Sequence, residues 1–144
     1  FDESTALEVK GYGVYYERLS WRQRGGGFGT APSGATASTN DIESQEFYTG
    51  GAEARLRHDY SAFGSDDHTI AGGVLYHHTT SPRIDKRGVT GNAEDGTIRK
   101  DSDREMNYVS AFAENLFTFG RFSVTPGIRL ENIWQSITEN VNLD

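Results

Sequence analysis

The chain contains no cysteine, three prolines, one methionine and two tryptophans in 144 residues. Without cysteine there is neither a disulfide scaffold nor a thiolate metal site. Long apolar runs are also missing. Hydrophobic residues make up 35% of the chain, and nowhere do they form the ~20-residue run of a membrane-spanning helix. This excludes a helical membrane protein but not a transmembrane β-barrel, in which only alternate strand residues need be apolar. Cations are scarce: 14 Lys and Arg face 21 Asp and Glu, a net charge of -7. That balance argues against nucleic acid as a partner, because phosphate binding needs a basic surface. The residues after Phe1 do not read as a signal peptide, with no basic start, apolar core or small-residue cleavage site. The expectation is of an excised or mature segment trailing into a loop at SITENVNLD.

What the chain has in quantity is glycine (17 residues), aromatics (12%) and alternation. In 117–131, FTFGRFSVTPGIRLE, a turn at Phe119-Gly120-Arg121 precedes a segment whose side chains split by parity. Phe122, Val124, Pro126, Ile128 and Leu130 are apolar, and Ser123, Thr125, Gly127, Arg129 and Glu131 are small, polar or charged. Successive strand residues point to opposite faces, so one face is apolar and the other wet.

Related patterns place strands at 6–22, 45–60, 68–80, 105–118 and 121–137. The first alternates least regularly, because Tyr12, Val14 and Tyr16 share the parity of Glu8 and Lys10. In the second, Tyr48, Ala52, Ala54 and Leu56 oppose Glu53, Arg55, Arg57 and Asp59; in the third, Ile70, Val74 and Tyr76 oppose Thr69, His77 and Thr79. Pro82 is expected to end the third strand, since proline cannot donate to a ladder. Polar, aperiodic stretches at 23–44 and 83–104 read as long loops, and 61–67 and 119–121 as short turns. Long and short connections therefore alternate, which in an antiparallel sheet puts all long loops at one end. Bacterial outer-membrane barrels have this layout. Trp21, Tyr48, Tyr60, Phe117, Phe119, Phe122 and Trp134 lie toward strand ends, as in aromatic girdles at membrane interfaces. The expected fold is all-β: a section of an antiparallel transmembrane β-barrel of about five strands, with long extracellular loops and short periplasmic turns. The smallest single-chain bacterial barrels have roughly eight strands, so other strands must complete the wall.

The segment ENLFTFGRFSVTPGIRLE (114–131), with its T-P-G-x-R-x-E strand, resembles the barrel of TonB-dependent outer-membrane receptors. YTGGAEARLRHDY (48–60) followed by HTIAGGVLYHH (68–78) is similar to the preceding hairpin of ferric-dicitrate-type receptors. The resemblance implies a plugged barrel of about twenty-two strands that imports iron chelates or other scarce nutrients, driven by the TonB system. Residues 1–144 would be a partial barrel domain of a larger receptor, with no plug domain in this chain. Partners implied are outer-membrane lipid, the TonB system through the plug, and a ferric chelate, which is transported substrate rather than cofactor. No enzyme activity is expected.

An anionic chelate needs cations, and the arginine fork binds carboxylates bidentately. Arg22 and Arg24 open the first long stretch; Arg83, Arg87, Arg99, Lys100 and Arg104 lie in or beside the second; His77 falls on a polar face. These eight are the candidate substrate contacts, and solvated charges balanced by nearby acids are the plainer reading. Glu53, Arg55, Arg57, Arg129 and Glu131 are expected to face a barrel lumen. His77 and His78 are adjacent, so they point to opposite faces and cannot chelate one ion together. The acid-rich 92–105 lacks EF-hand spacing. The glycines Gly25, Gly26, Gly27 and Gly29 open no βαβ unit, and no G-x-S-x-G supports a hydrolase. A soluble all-β binding or adhesin module and a passive outer-membrane pore remain alternatives. The soluble one requires the apolar faces to pack together.

Overall fold

The computed structural model describes residues 3–26, 31–35 and 37–143. Gly27 and Gly29 of the glycine-rich stretch lie outside the described residues, as do the chain ends Phe1 and Asp144. The chain is all-β, a six-stranded sheet of β1 (Thr5–Gln23), β2 (Asn40–Ala62), β3 (Ser65–Gly88), β4 (Thr97–Phe119), β5 (Phe122–Val124) and β6 (Gly127–Asn142). From β1 to β5, neighbours in sequence are neighbours in the sheet, in the order β1-β2-β3-β4-β5, whereas β6 pairs with β4. The sheet does not close on itself among the described residues.

The strands are much longer than a lipid bilayer demands. A tilted β-strand crosses the hydrocarbon with about 9–11 residues, whereas β2 and β4 have 23 each and β3 has 24. This corrects the loop boundaries expected from the sequence. The first long loop shrinks to 24–39 and the second to 89–96. Pro82 does not end the third strand, which runs through it to Gly88. A proline removes one ladder donor but keeps its carbonyl acceptor, so the surrounding strand can continue. Arg83, Arg87, Arg99, Lys100 and Arg104 consequently sit on strands, not in a loop. The strand expected over 121–137 is divided by Thr125 and Pro126 and extends to Asn142. At the division, the Pro126 carbonyl accepts from Asn115 N–H at 3.0 Å.

The short turns follow their residues. Phe119 pairs with Phe122, leaving Gly120 and Arg121 as the loop. Gly120 has φ 61°, the first-position glycine of a type II′ hairpin. The turn between β2 and β3 is Phe63-Gly64, with φ 53° and 80°. Positive φ at both central positions is the type I′ requirement, met here by a bulky aromatic that ordinarily avoids it.

Cross-strand contacts define two faces. Thr69 Oγ1 donates to Asp59 at 2.6 Å, Gln45 Nε2 donates to Ser81 Oγ at 2.8 Å, and the Thr49 and Thr79 hydroxyls meet at 3.0 Å. The odd positions of β2 and β3 thus share a polar face. On the other face, Tyr76 Oη donates to Asn107 Oδ1 at 2.9 Å, and the register Phe117↔Val124 ties odd β4 to even β5. That face carries Leu56, Ile70, Val74, Val109, Val124, Ile128 and Leu130, all exposed. Ile42 is the one buried hydrophobic side chain among the described residues, whereas Asn40, Gln45, His68, Ser81, Ser102 and Ser110 are buried polar ones. A soluble sandwich would bury its apolar faces against each other, and here they stay uncovered.

The chain divides into two compact units. One comprises Phe1–Gly13, Gly50–His78 and Asn107–Trp134, and holds both short turns; the other comprises Val14–Thr49, Thr79–Met106 and Gln135–Asp144, and holds both long loops.

Candidate functional site

In the long-loop unit, the polar face gathers arginines around three carboxylates. Asp41, at the start of β2, is approached by Arg22 Nη2 at 3.7 Å, Arg24 Nε at 3.4 Å and Arg87 Nε at 3.4 Å. Two residues on, Glu43 pairs with Arg18 of β1 and with Arg83 Nη2 at 3.2 Å. Arg83 also grips Asp85 through Nε and Nη2, both at 3.0 Å. The alternation of β1, β2 and β3 places these side chains together: even positions of β1 and odd positions of β2 and β3 project to the polar face. A cavity of about 150 Å³ opens here, lined by Arg22, Asp41, Glu43, Arg83, Asp85 and Arg87 among others, Arg99 included.

Five arginines (18, 22, 24, 83 and 87) thus surround three carboxylates (41, 43 and 85), leaving a surplus of positive charge. Arg22 is the most open, with its side chain 80% exposed. Exposed ion pairs contribute little to stability, on the order of 0–1 kcal/mol. An incoming anion competing for Arg22 therefore meets little resistance from its present partner.

Four of the eight residues singled out from the sequence, Arg22, Arg24, Arg83 and Arg87, converge on this cluster, and Arg99 lines its cavity. Lys100 turns instead to Glu139 at 3.3 Å. Arg104 lines a separate cavity of about 230 Å³ with Met106, Gln135 and Ile137. His77 belongs to the short-turn unit, where its Nδ1 lies 2.7 Å from Tyr12 Oη. Arg18, Asp41 and Glu43 had no distinguishing signal. The two acids fall in a stretch dominated by Gly, Ser, Thr and Ala, and their strand character comes from pairing with neighbours.

On the polar face of the short-turn unit, Arg55 Nε donates to Glu53 at 2.6 Å, Arg57 pairs with Asp59 at 3.0 Å and Arg129 Nε donates to Glu131 at 2.5 Å. Each is an i, i+2 pair on one strand, the spacing that keeps both partners on one face. Tyr108 Oη donates to Glu131 at 3.0 Å. Two aromatics cross this face over glycines. Tyr12 passes over Gly51 toward His77, and Phe112 lies over Gly73, where an added Cβ would stand 2.7 Å from its ring. A side chain at either place would meet both the ring and a backbone carbonyl, Tyr76 O at 2.7 Å from a Cβ on Gly51 and Ala54 O at 2.9 Å from one on Gly73.

Among the described residues no group of three His, Cys, Asp or Glu side chains is arranged to hold a metal ion. A single-layer sheet of very long antiparallel strands, with uncovered apolar residues on one face and charge on the other, defines the wall of an outer-membrane-type β-barrel. More particularly, residues 1–144 match the family of TonB dependent receptor-like β-barrels, and the chain belongs to that family. No curated protein and no solved structure gives a significant match. Family membership assigns the chain to TonB-dependent transport at the bacterial outer membrane, in a family of transporters rather than enzymes.

Proposed function

We propose that the chain forms part of the wall of a receptor that takes up an anionic ferric chelate, of the siderophore or ferric-citrate kind, with the arginine cluster on Asp41 and Glu43 as its first contact. The observation that carries this is the surplus of guanidinium charge gathered beside the long loops. Guanidinium forks match carboxylate and catecholate oxygens geometrically as well as electrostatically. In this reading the polar face lines the lumen, where Glu53, Arg55, Arg57, Arg129 and Glu131 meet the plug of a larger chain, and the apolar face meets outer-membrane lipid. A larger barrel accounts for a sheet whose outer strands, β1 and β6, each need a neighbour. The TonB system would act through that plug.

The test is equilibrium binding of radiolabelled ferric chelates to outer membranes carrying the receptor. Anionic, neutral and cationic chelates are compared at two salt concentrations. A charge-assisted hydrogen bond contributes about 1.5–3 kcal/mol, so Arg22→Ala together with Arg87→Ala should weaken binding of an anionic chelate at least about tenfold, and added salt should weaken it further. Equal affinity for cationic chelates, or unchanged binding by the double variant, would overturn the assignment.

A further inference from the structure

A second cavity in the long-loop unit has a different chemistry from the arginine cluster. It is about 220 Å³ and is lined by Trp21, Gln23, Asn40, Gly91, Asn92 and Glu94. No cation lines it. Its walls are one large aromatic, three carboxamides, a glycine and a carboxylate.

The cavity lies on the opposite side of the sheet from the arginines. Tyr15 of β1 packs on Tyr48 of β2 with ring centroids 5.1 Å apart, which ties odd β1 positions to even β2 positions. Trp21 and Gln23 are odd on β1 and Asn40 is even on β2, so they share the Tyr15 and Tyr48 face. Arg22 and Asp41, one residue away on each strand, project to the other.

The polar groups at this cavity are held in place. Asn40 is 2% exposed, and its Nδ2 donates to the Ala93 carbonyl at 2.7 Å. That bond leaves Asn40 Oδ1 buried with no hydrogen-bond partner among the described residues, which costs free energy. Gln23 Nε2 is fixed by the Ala37 carbonyl at 2.8 Å. Gly91 keeps its wall open, since an added Cβ would stand 2.7 Å from Gln23 Nε2. Trp21 remains 52% exposed, with a broad apolar surface for a ligand to lie against.

We infer that this cavity binds one ring of a neutral saccharide. A sugar ring presents polarised C–H groups on one face, which suit the electron-rich face of an indole. Its hydroxyls both donate and accept, as carboxamides do. The Glu94 carboxylate accepts hydroxyl protons and repels phosphate or a carboxylate-bearing chelate, which separates this site from the arginine cluster. The volume suits a single ring. The ring can arrive as free saccharide or as the headgroup of a glycolipid, and the chemistry of recognition is shared.

Saturation-transfer NMR on the purified receptor in a deuterated phosphocholine detergent tests this. Methyl glucoside, methyl galactoside and N-acetylglucosamine are the free probes, and a short-chain alkyl glucoside is the lipid-borne probe. At least one probe should receive saturation, and Trp21→Leu should weaken its binding at least tenfold. Asn92→Ala, in the exposed loop 89–96, provides a second variant that leaves the strands intact and should weaken binding at least threefold. Response from the free sugars assigns the site to soluble saccharide, and response from the alkyl glucoside alone assigns it to a glycolipid; either upholds the inference. No transfer to any probe, or transfer unchanged in both variants, overturns it.

Discussion

At the scale of single residues, one ion pair ties the loop between β3 and β4 to the end of β3. Asp95 accepts from Lys86 Nζ at 2.7 Å, and the hydrogen bond from Lys86, followed by one from the Gly96 N–H, holds the Asp95 carboxyl below its ordinary range. A carboxyl with a depressed folded-state pKa stabilises the fold above its unfolded value, about 3.9 for aspartate. That contribution is lost as pH falls through the folded value. Near neutral pH, Gly96 amide exchange should therefore be faster in Asp95→Asn than in the parent. The two should converge as pH falls below the aspartate range. A difference that persisted in acid would show that something other than this charge orders the loop. The pairing was not legible in the sequence, where Lys86 and Asp95 stood among many charges in a stretch without period. The continuation of β3 to Gly88 is what places Lys86 on a strand beside Asp95.

At the scale of elements, the ends of β2 and β4 beside the two short turns are joined by a histidine, His68. His68 is fully buried. Its Nδ1 accepts from Thr118 N–H at 3.1 Å and its Nε2 donates to the Ala62 carbonyl at 2.8 Å. One ring thereby bonds both β2 and β4 across β3. Tyr60, Phe63, Phe117 and Phe119 surround it, with centroids 5.4–6.1 Å away. Replacing His68 by alanine leaves a buried donor and a buried acceptor unpaired, at about 1–3 kcal/mol each. We expect His68→Ala to lower the thermal unfolding midpoint in detergent clearly, while His58→Ala, whose side chain meets Thr5 Oγ1 at 2.9 Å, shifts it less. Equal shifts would remove the special role of His68. Alternation around 122–130 was legible because one face there is apolar and the other wet. It failed at 83–104 because strand residues that are polar on both faces carry no such contrast, and backbone pairing alone extends them.

At the scale of the whole molecule, the proposed function requires one face of the sheet to meet lipid. On the proposed reading, Leu130 (66% exposed) points to hydrocarbon and its neighbour Arg129 to the lumen. Arginine on a lipid-facing strand position costs about 2–4 kcal/mol near the bilayer midplane. Leu130→Arg should therefore reduce folded barrel, seen as loss of the heat-modifiable band on gels, whereas Arg129→Leu should not. If both variants folded equally, the face assignment would be wrong. Ile42, the single buried hydrophobic residue among the described residues, points the same way, because a sheet with no packed core needs its solvent to be partly lipid.

The strand order, with β1 to β5 each beside the one before it and β6 beside β4, also bears on how such a wall comes into being. Every pairing along the path closes a loop only as long as one turn or connection. The entropic cost of bringing strand ends together grows with the logarithm of loop length, so each new strand meets a small and similar cost. A wall of this topology can grow one hairpin at a time from either end, with each added strand templated by the edge just formed.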